Sequence, residues 1–399
     1  MPKLFAGCLL LAAAVALPAV ASAGDAAPWA YPKPEAAEPL SLETLDAAID
    51  RGVRYLVESQ DDDGSWGSSR WTGGVDVDPV PGSFRAFDLA TTAMCLEALL
   101  DAEPGDSVAD AAERAEKYLL ENLPKVRRAD PGNLPNVWAH GYAVQVFSKL
   151  WRRTPEGSPK RAVYEKLIRR QMAMLDRHET VNGGWFYYAS SGVQPIAPSC
   201  SFCNAAILVC LKRGQEIGIE PPEKMTRRAV KMTKLQQKPD FSYLYSVETP
   251  LGMQGAPREI NRPAGSLARS QSGNIALREW GDKAVTDEVV KAWLNRMVSR
   301  HGWLDMGRKT QYPHESHAAV AGYFFYFGHY YAAKCVEALP ESERAFYANH
   351  LARLLVDRQE PEGSWFDYPL YSYHKPYGTA FALMSLQIYR KAIAAERGE

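Results

Sequence analysis

Two kinds of segment alternate along the chain. In the first kind, apolar residues recur at helical spacing while charges fill the opposite face. Ile49, Val53, Leu56 and Val57 fall at offsets 0, 4, 7 and 8, and Tyr347, Leu351, Leu354 and Leu355 repeat those offsets near the other end. Val290, Trp293, Leu294 and Met297 follow 0, 3, 4 and 7, and Tyr164, Leu167, Ile168 and Met172 behave alike. Such spacing predicts amphipathic helices with one buried stripe. Less regular members run from Val108 to Leu120 and from Met225 to Leu235, which makes about six.

The second kind has few charges and many small or aromatic residues. Its members are Phe87 to Leu100, Val137 to Leu150, Ser201 to Leu211, Ser270 to Leu277, His317 to Ala333 and Tyr377 to Tyr389. A helix that is apolar all round is enclosed by protein or lines an apolar cavity. Alternation of half-buried and fully buried helices therefore predicts an outer ring around an inner ring. The expectation is an all-α (α/α)6 toroid built of about six helical hairpins.

The hairpin turns carry a repeated signature. Gln60-Asp61-Asp62-Asp63-Gly64-Ser65-Trp66 closes the first amphipathic helix, and Gln359-Glu360-Pro361-Glu362-Gly363-Ser364-Trp365 closes the last. Weaker copies stand at Asn182-Gly183-Gly184-Trp185 and His301-Gly302-Trp303. Gly64 and Gly363 are read as positive-φ turn positions, Trp66 and Trp365 as staples between neighbouring hairpins, and Gln60 and Gln359 as turn residues. Repetition over the whole length argues for one domain, because each hairpin buries its apolar face only against its neighbours.

With the run Tyr377-Gly378-Thr379-Ala380-Phe381-Ala382-Leu383, these turns resemble the repeats of the squalene cyclase and protein prenyltransferase superfamily over roughly Leu42 to Lys391. The resemblance implies a terpenoid cyclase-like toroid with a central cavity. Its motifs are structural and do not select a reaction.

The ends are read separately. Lys3, the apolar stretch Leu4 to Pro18 and Ala21-Ser22-Ala23 look like a signal peptide spanning 1–23, which predicts a periplasmic or secreted protein. Residues 24–41, rich in Ala and Pro, are expected to form a disordered lead-in, the toroid to span 42–392, and 393–399 to be a tail. No further stretch reads as a transmembrane segment. A net charge of −1 without a Lys/Arg block argues against a nucleic-acid partner and leaves an apolar small molecule or a protein. Cys200 and Cys203 form the one close cysteine pair, and their apolar neighbours favour free thiols.

In a toroid of antiparallel hairpins, every inner helix starts at the same rim. The polar residues expected there are Asp88, His140, Cys200, Cys203, Gln271, His317, His374 and Tyr377, with His314 and Glu315 just upstream of His317. Acid–base work is assigned to Asp88, His140 and His317, with Tyr377 as donor. Gln271 and His374 are ligand-binding candidates, as are Arg258 and Arg262 on the long connection Ser246 to Leu267. Imidazole and carboxylate also suit zinc, which makes His314, Glu315 and His317 the candidate metal set. Zinc-dependent protein prenyltransferases are similar in placing Asp, Cys and His on late inner helices, but Tyr312 to His317 and Tyr373 to Tyr377 contain no Asp-x-Cys. The Asp-x-Asp-Asp acid of the cyclases is approached only by Asp76-Val77-Asp78-Pro79. Phosphate-loop, Rossmann, HExxH and GxSxG signatures are absent.

The functional expectation is an exported toroid whose cavity and His-rich rim bind or transform an apolar, isoprenoid-like molecule. A non-catalytic scaffold and a carbohydrate-processing enzyme are the alternatives; the latter needs paired carboxylates, for which Asp88 and Glu315 are the candidates.

Overall fold

The structure is a computed structural model that describes residues 27–75, 81–126, 135–187, 199–247, 258–315 and 317–399. The segment read as a signal peptide and the Asp76 to Pro79 motif lie outside the described residues, as does the side chain of Arg258.

The helices are α1 (Leu42–Glu58), α2 (Pro81–Leu100), α3 (Asp106–Asn122), α4 (Asn136–Arg153), α5 (Pro159–His178), α6 (Ser201–Gln215) and α7 (Glu223–Gln236). There follow α8 (Leu267–Glu279), α9 (Asp287–Ser299), the short α10 (His301–Asp305), α11 (Phe324–Glu337), α12 (Glu341–Val356) and α13 (His374–Arg397). The described residues form no β-strand, only isolated bridges such as Gln237 with Tyr243.

Helices α2, α4, α6, α8, α11 and α13 each pack on the next, and α13 returns to α2, so the inner ring is closed. Around it, α3 packs on α2, α5 on α4, α7 on α6, α9 on α8, and α12 and α1 on α13. The two rings differ as their sequences require. In α6 every residue from Ser201 to Leu211 is buried, whereas α3 buries only Ala111, Ala115 and Leu119. The all-α toroid expected from the alternation is the observed fold.

The turn signature is a recurrent staple. In three copies the indole N–H of a fully buried Trp donates to a carbonyl ten residues earlier, at 2.8 Å each: Trp66 to Leu56, Trp185 to Leu175 and Trp365 to Leu355. Gln60 donates across the turn to the Gly64 carbonyl (3.0 Å) and out to Ala111 on α3 (2.9 Å). Gln359 does the same to Gly363 and to Ala48 on α1, at 2.9 Å each. Gly64 sits at φ 92°, and a Cβ there would lie 2.5 Å from the Arg114 carbonyl, so no other residue fits without shifting α3.

Four expectations require correction. Residues 27–41 are not a loose lead-in but a strap across the outer ring, with Trp29 edge-on to Phe241, Asn295 donating to the Tyr31 carbonyl, and Leu40 buried. Composition misleads here because the strap borrows apolar surface from other elements. The His301-Gly302-Trp303 copy is no staple; it forms α10, and Trp303 is only half-buried. The fifth inner helix begins at Phe324, not His317, because Ala319 adopts φ 51°, a left-handed conformation that a right-handed helix cannot include. At the other end α13 continues to Arg397 with Ile393 fully buried, so residues 393–397 belong to the fold and not to a tail.

Candidate functional site

Inner-helix residues of four different helices meet around the toroid axis through aromatic rings. Trp138 and Tyr142 of α4 lie 6.1 Å apart, and Trp138 stacks on Phe202 of α6 at 5.9 Å. Phe202 meets Phe324 and Phe327 of α11 at 5.0 and 6.0 Å. Phe381 of α13 closes the circuit, 5.4 Å from Tyr330 and 6.0 Å from Tyr142. Tyr142, Phe202, Phe327, Tyr330 and Phe381, with Tyr377 beside them, are buried and retain between 3% and 9% of their surface. A circuit of aromatic faces of this kind suits apolar and cationic groups.

Towards the C-terminal ends of the inner helices the surroundings become polar. Gln145 donates to Glu97 at 2.6 Å and to the Tyr330 hydroxyl at 2.9 Å, and accepts from Cys210 at 3.4 Å. Below it the C-terminal ends of the inner helices carry ion pairs, including Lys149 and Arg153 on Asp101 and Arg213 on Glu279 and Glu216. The inner helices start at the opposite rim.

At that rim Tyr377, in the first turns of α13, donates to Asp367 Oδ1 at 2.6 Å. Asp367 is wholly buried, and its Oδ2 accepts the Tyr326 backbone N–H at 3.0 Å, within the first turn of α11. Burial pushes the Asp367 carboxyl up to about 7, against the downward pull of those hydrogen bonds. The Tyr377 hydroxyl thus has a titratable carboxyl directly behind it. Alongside, Tyr323 packs edge-on to Tyr368 at 5.6 Å and contacts His314 Nε2 at 3.2 Å. His314 Nδ1 lies 2.8 Å from the Ala319 carbonyl, so it donates there and Nε2 accepts from Tyr323. Burial also lowers the His314 pKa and favours this neutral form.

Arg269, in the first turn of α8, completes this side of the rim. It is 1% exposed, with its guanidinium carbon 5.5 Å from the ring centres of both Tyr245 and Phe324. It donates to the carbonyls of Gly265 (3.0 Å), Tyr243 (3.4 Å) and Ile260, and Nε is buried without an acceptor. Desolvation lowers its pKa to about 10, still charged at neutral pH.

The other candidate residues do not join them. His140 points away from the axis: its Nδ1 meets Gln171 of α5 at 2.7 Å, its ring stacks on His178, and burial lowers its pKa to about 3. Gln271 likewise faces outward and donates to the Trp293 carbonyl of α9 at 3.0 Å. Asp88 is half-buried beside Tyr373, with its pKa raised to about 6 by burial. His374 turns its Nδ1 to the Tyr371 carbonyl and packs edge-on to Phe366. His317 is exposed and lies against Trp303 at 5.2 Å, and Glu315 is exposed. Arg262 is exposed and 3.6 Å from Glu259.

The zinc set therefore fails as a cluster: His314 has both nitrogens engaged, His317 packs on Trp303, and no group of three His, Cys, Asp or Glu among the described residues is placed to hold a metal. Cys200 and Cys203 are buried free thiols, as expected. Sequence reasoning missed Asp367, Arg269 and Tyr245. The available signal was an Arg at the start of an inner helix whose next eight residues carry no charge, and a lone Asp inside the aromatic run Trp365 to Tyr368.

No protein-family description and no curated protein matches this sequence. Solved structures do match. A type II terpene cyclase from Scytonema, in complex with geranylgeranyl dihydroxybenzoate, superposes with TM-score 0.52 at 13% identity, covering 88% of this chain and 98% of that one. An α-1,6-mannanase variant from Salegentibacter, in complex with α-1,6-mannotetrose, gives 0.60 at 10% identity over 87% and 99%. An unsaturated glucuronyl hydrolase specific for heparin gives 0.58 at 13% identity over 90% and 99%. At such identities the likeness establishes the α/α toroid fold, which hosts unrelated chemistries.

Proposed function

We propose that the aromatic circuit encloses a chamber in which this protein binds an apolar, isoprenoid-like molecule, with Tyr377 and Asp367 as the proton-transfer pair at its mouth. The observation that carries the reading is the circuit of rings from α4, α6, α11 and α13 around the axis. A carboxyl near 7 is too weak an acid to protonate an isolated alkene. It suits proton exchange with a hydroxyl or carbonyl carried by the ligand. Tyr377 would touch that group, and Asp367 would hold or release the proton behind it.

The carbohydrate reading is less well supported. Glycoside cleavage uses two carboxyl groups roughly 5–9.5 Å apart across the bond. Of the two candidates, Glu315 is exposed and Asp88 sits beside Tyr373.

Calorimetric titration with farnesol and with α-1,6-mannotetrose separates the readings. Saturable binding of farnesol is expected, weakened about tenfold in Phe202→Ala, since losing a buried ring contact costs roughly 1.5–3 kcal/mol. Binding of the oligosaccharide alone would establish the carbohydrate reading, and binding of neither the scaffold.

A further inference from the structure

The chamber explains the aromatic rings but not the charge beside it. Arg269 is a fully buried guanidinium, and its three acceptors are neutral carbonyl oxygens. Arg213, by contrast, pairs with Glu279 and Glu216, and Arg228 with Glu179 at 3.4 Å. No carboxylate among the described residues pairs with Arg269, and its Nε–H has no acceptor. An uncompensated buried charge is costly, and a fold retains one where something else supplies the counter-charge.

The surroundings indicate what that is. Tyr245 and Phe324 flank the guanidinium, and both touch Phe202, at 5.6 and 5.0 Å. Phe202 is itself a wall of the chamber, stacked on Trp138. One ring therefore separates the charge from the apolar space. Towards solvent stand the half-buried Tyr323 and His314, which carry a hydroxyl and an imidazole. Charge arithmetic limits the ligand further. His314 is neutral, with its nitrogens engaged by Ala319 and Tyr323, and Arg262 is exposed beside Glu259. Among the described residues the site thus offers a single positive charge, which balances a carboxylate and leaves a diphosphate mostly uncompensated.

We propose that Arg269 is an anion site that receives the carboxylate of an amphiphile whose apolar part lies in the chamber. The ligand class is an apolar carboxylic acid, held by a charge-assisted hydrogen bond from Nε–H. This rests on the chamber reading above and goes beyond it by assigning the polar end.

The test compares farnesoic acid, farnesol and farnesyl diphosphate at pH 8 by calorimetry, on the whole protein and on Arg269→Met, with a thermal melt of each. The wild type is expected to bind farnesoate about tenfold or more tighter than farnesol, the strength of one hydrogen bond to a charged group. In Arg269→Met the two ligands become equal while farnesol affinity is kept. Methionine removes the buried charge without a large cavity, so the variant is expected to fold. Should it not fold, the farnesoate-to-farnesol ratio of the wild type decides alone. Equal binding of acid and alcohol by the wild type, or an unchanged preference in Arg269→Met, overturns the anion site and leaves the chamber standing. Tighter binding of the diphosphate than of the acid overturns the carboxylate assignment. Failure of all three ligands to bind overturns the chamber and the anion site together.

Discussion

Asp367 shows how a single position can set a pH response. Its carboxyl titrates at about 7 in the folded chain, because burial outweighs the Tyr377 and Tyr326 hydrogen bonds, against roughly 3.9 when unfolded. Between those values the folded protein holds a proton that the unfolded chain has released. Stability contributed by this group is therefore fully present below about 4 and is lost as pH rises towards 7. Asp367→Asn cannot ionise, so its melting temperature relative to wild type should rise between pH 4 and 8. A constant difference between the two proteins over that range would show that the carboxyl is not raised. His140 has the opposite sign: burial lowers its pKa to about 3, so its contribution grows as pH rises through the window up to roughly 6.5, and it does not explain a fall with pH. Tyr377 was legible in the sequence because it begins an inner helix. Asp367 was not, since it belongs to no periodic element and only tertiary burial distinguishes it from the acidic turn residues nearby.

Among the elements, the hairpin turn is the unit that repeats, and the structure adds a copy that the sequence disguises. Gln237-Lys238-Pro239-Asp240-Phe241-Ser242-Tyr243 aligns with the Gln-x-x-acidic-Gly-Ser-Trp signature, with Phe241 at the glycine position and Tyr243 at the tryptophan position. Phe241 adopts φ 59°, Ser242 bonds to Asp240 as Ser65 does to Asp63, and Tyr243 is fully buried. Backbone geometry has thus outlasted the residues that normally produce it. The converse case is Trp303, which follows a Gly yet lies on a short helix. Residue identity alone does not find either case, because the turn is defined by its backbone geometry and by a ring buried behind it. Trp66→Ala and Trp185→Ala should each cost roughly 3–5 kcal/mol in urea unfolding, and Trp303→Ala less than about 1 kcal/mol. Equal losses at all three positions would show that neither the staple nor the deeper burial of Trp66 and Trp185 sets their contribution.

At the scale of the molecule, a ring of hairpins must be closed, and two features do so. Helix α1 packs on α13, bringing the first and last repeats together, with Gln359 donating to the Ala48 carbonyl across that junction at 2.9 Å. Outside it runs the strap of residues 27–41. Trp29 rests on Phe241, Tyr31 lies under the Arg296 guanidinium at 4.7 Å and accepts from Arg300 at 2.8 Å, Lys33 lies over Phe346, and the Glu38 carbonyl accepts from Arg353. The strap thus crosses α9 and α12 before entering α1. Its sequence predicts disorder because, taken alone, it buries nothing, and the surface that orders it comes from helices more than 200 residues away. This contact pattern consists of exposed cation–π and hydrogen-bond interactions worth about 1 kcal/mol each. The strap should accordingly detach before the ring opens. Tyr31→Ala is expected to make residues 27–39 readily cleaved in limited proteolysis while lowering global stability by only about 1–2 kcal/mol. Protection equal to wild type would show that the other contacts hold the strap without Tyr31. A loss above about 4 kcal/mol would instead make the strap part of ring closure itself.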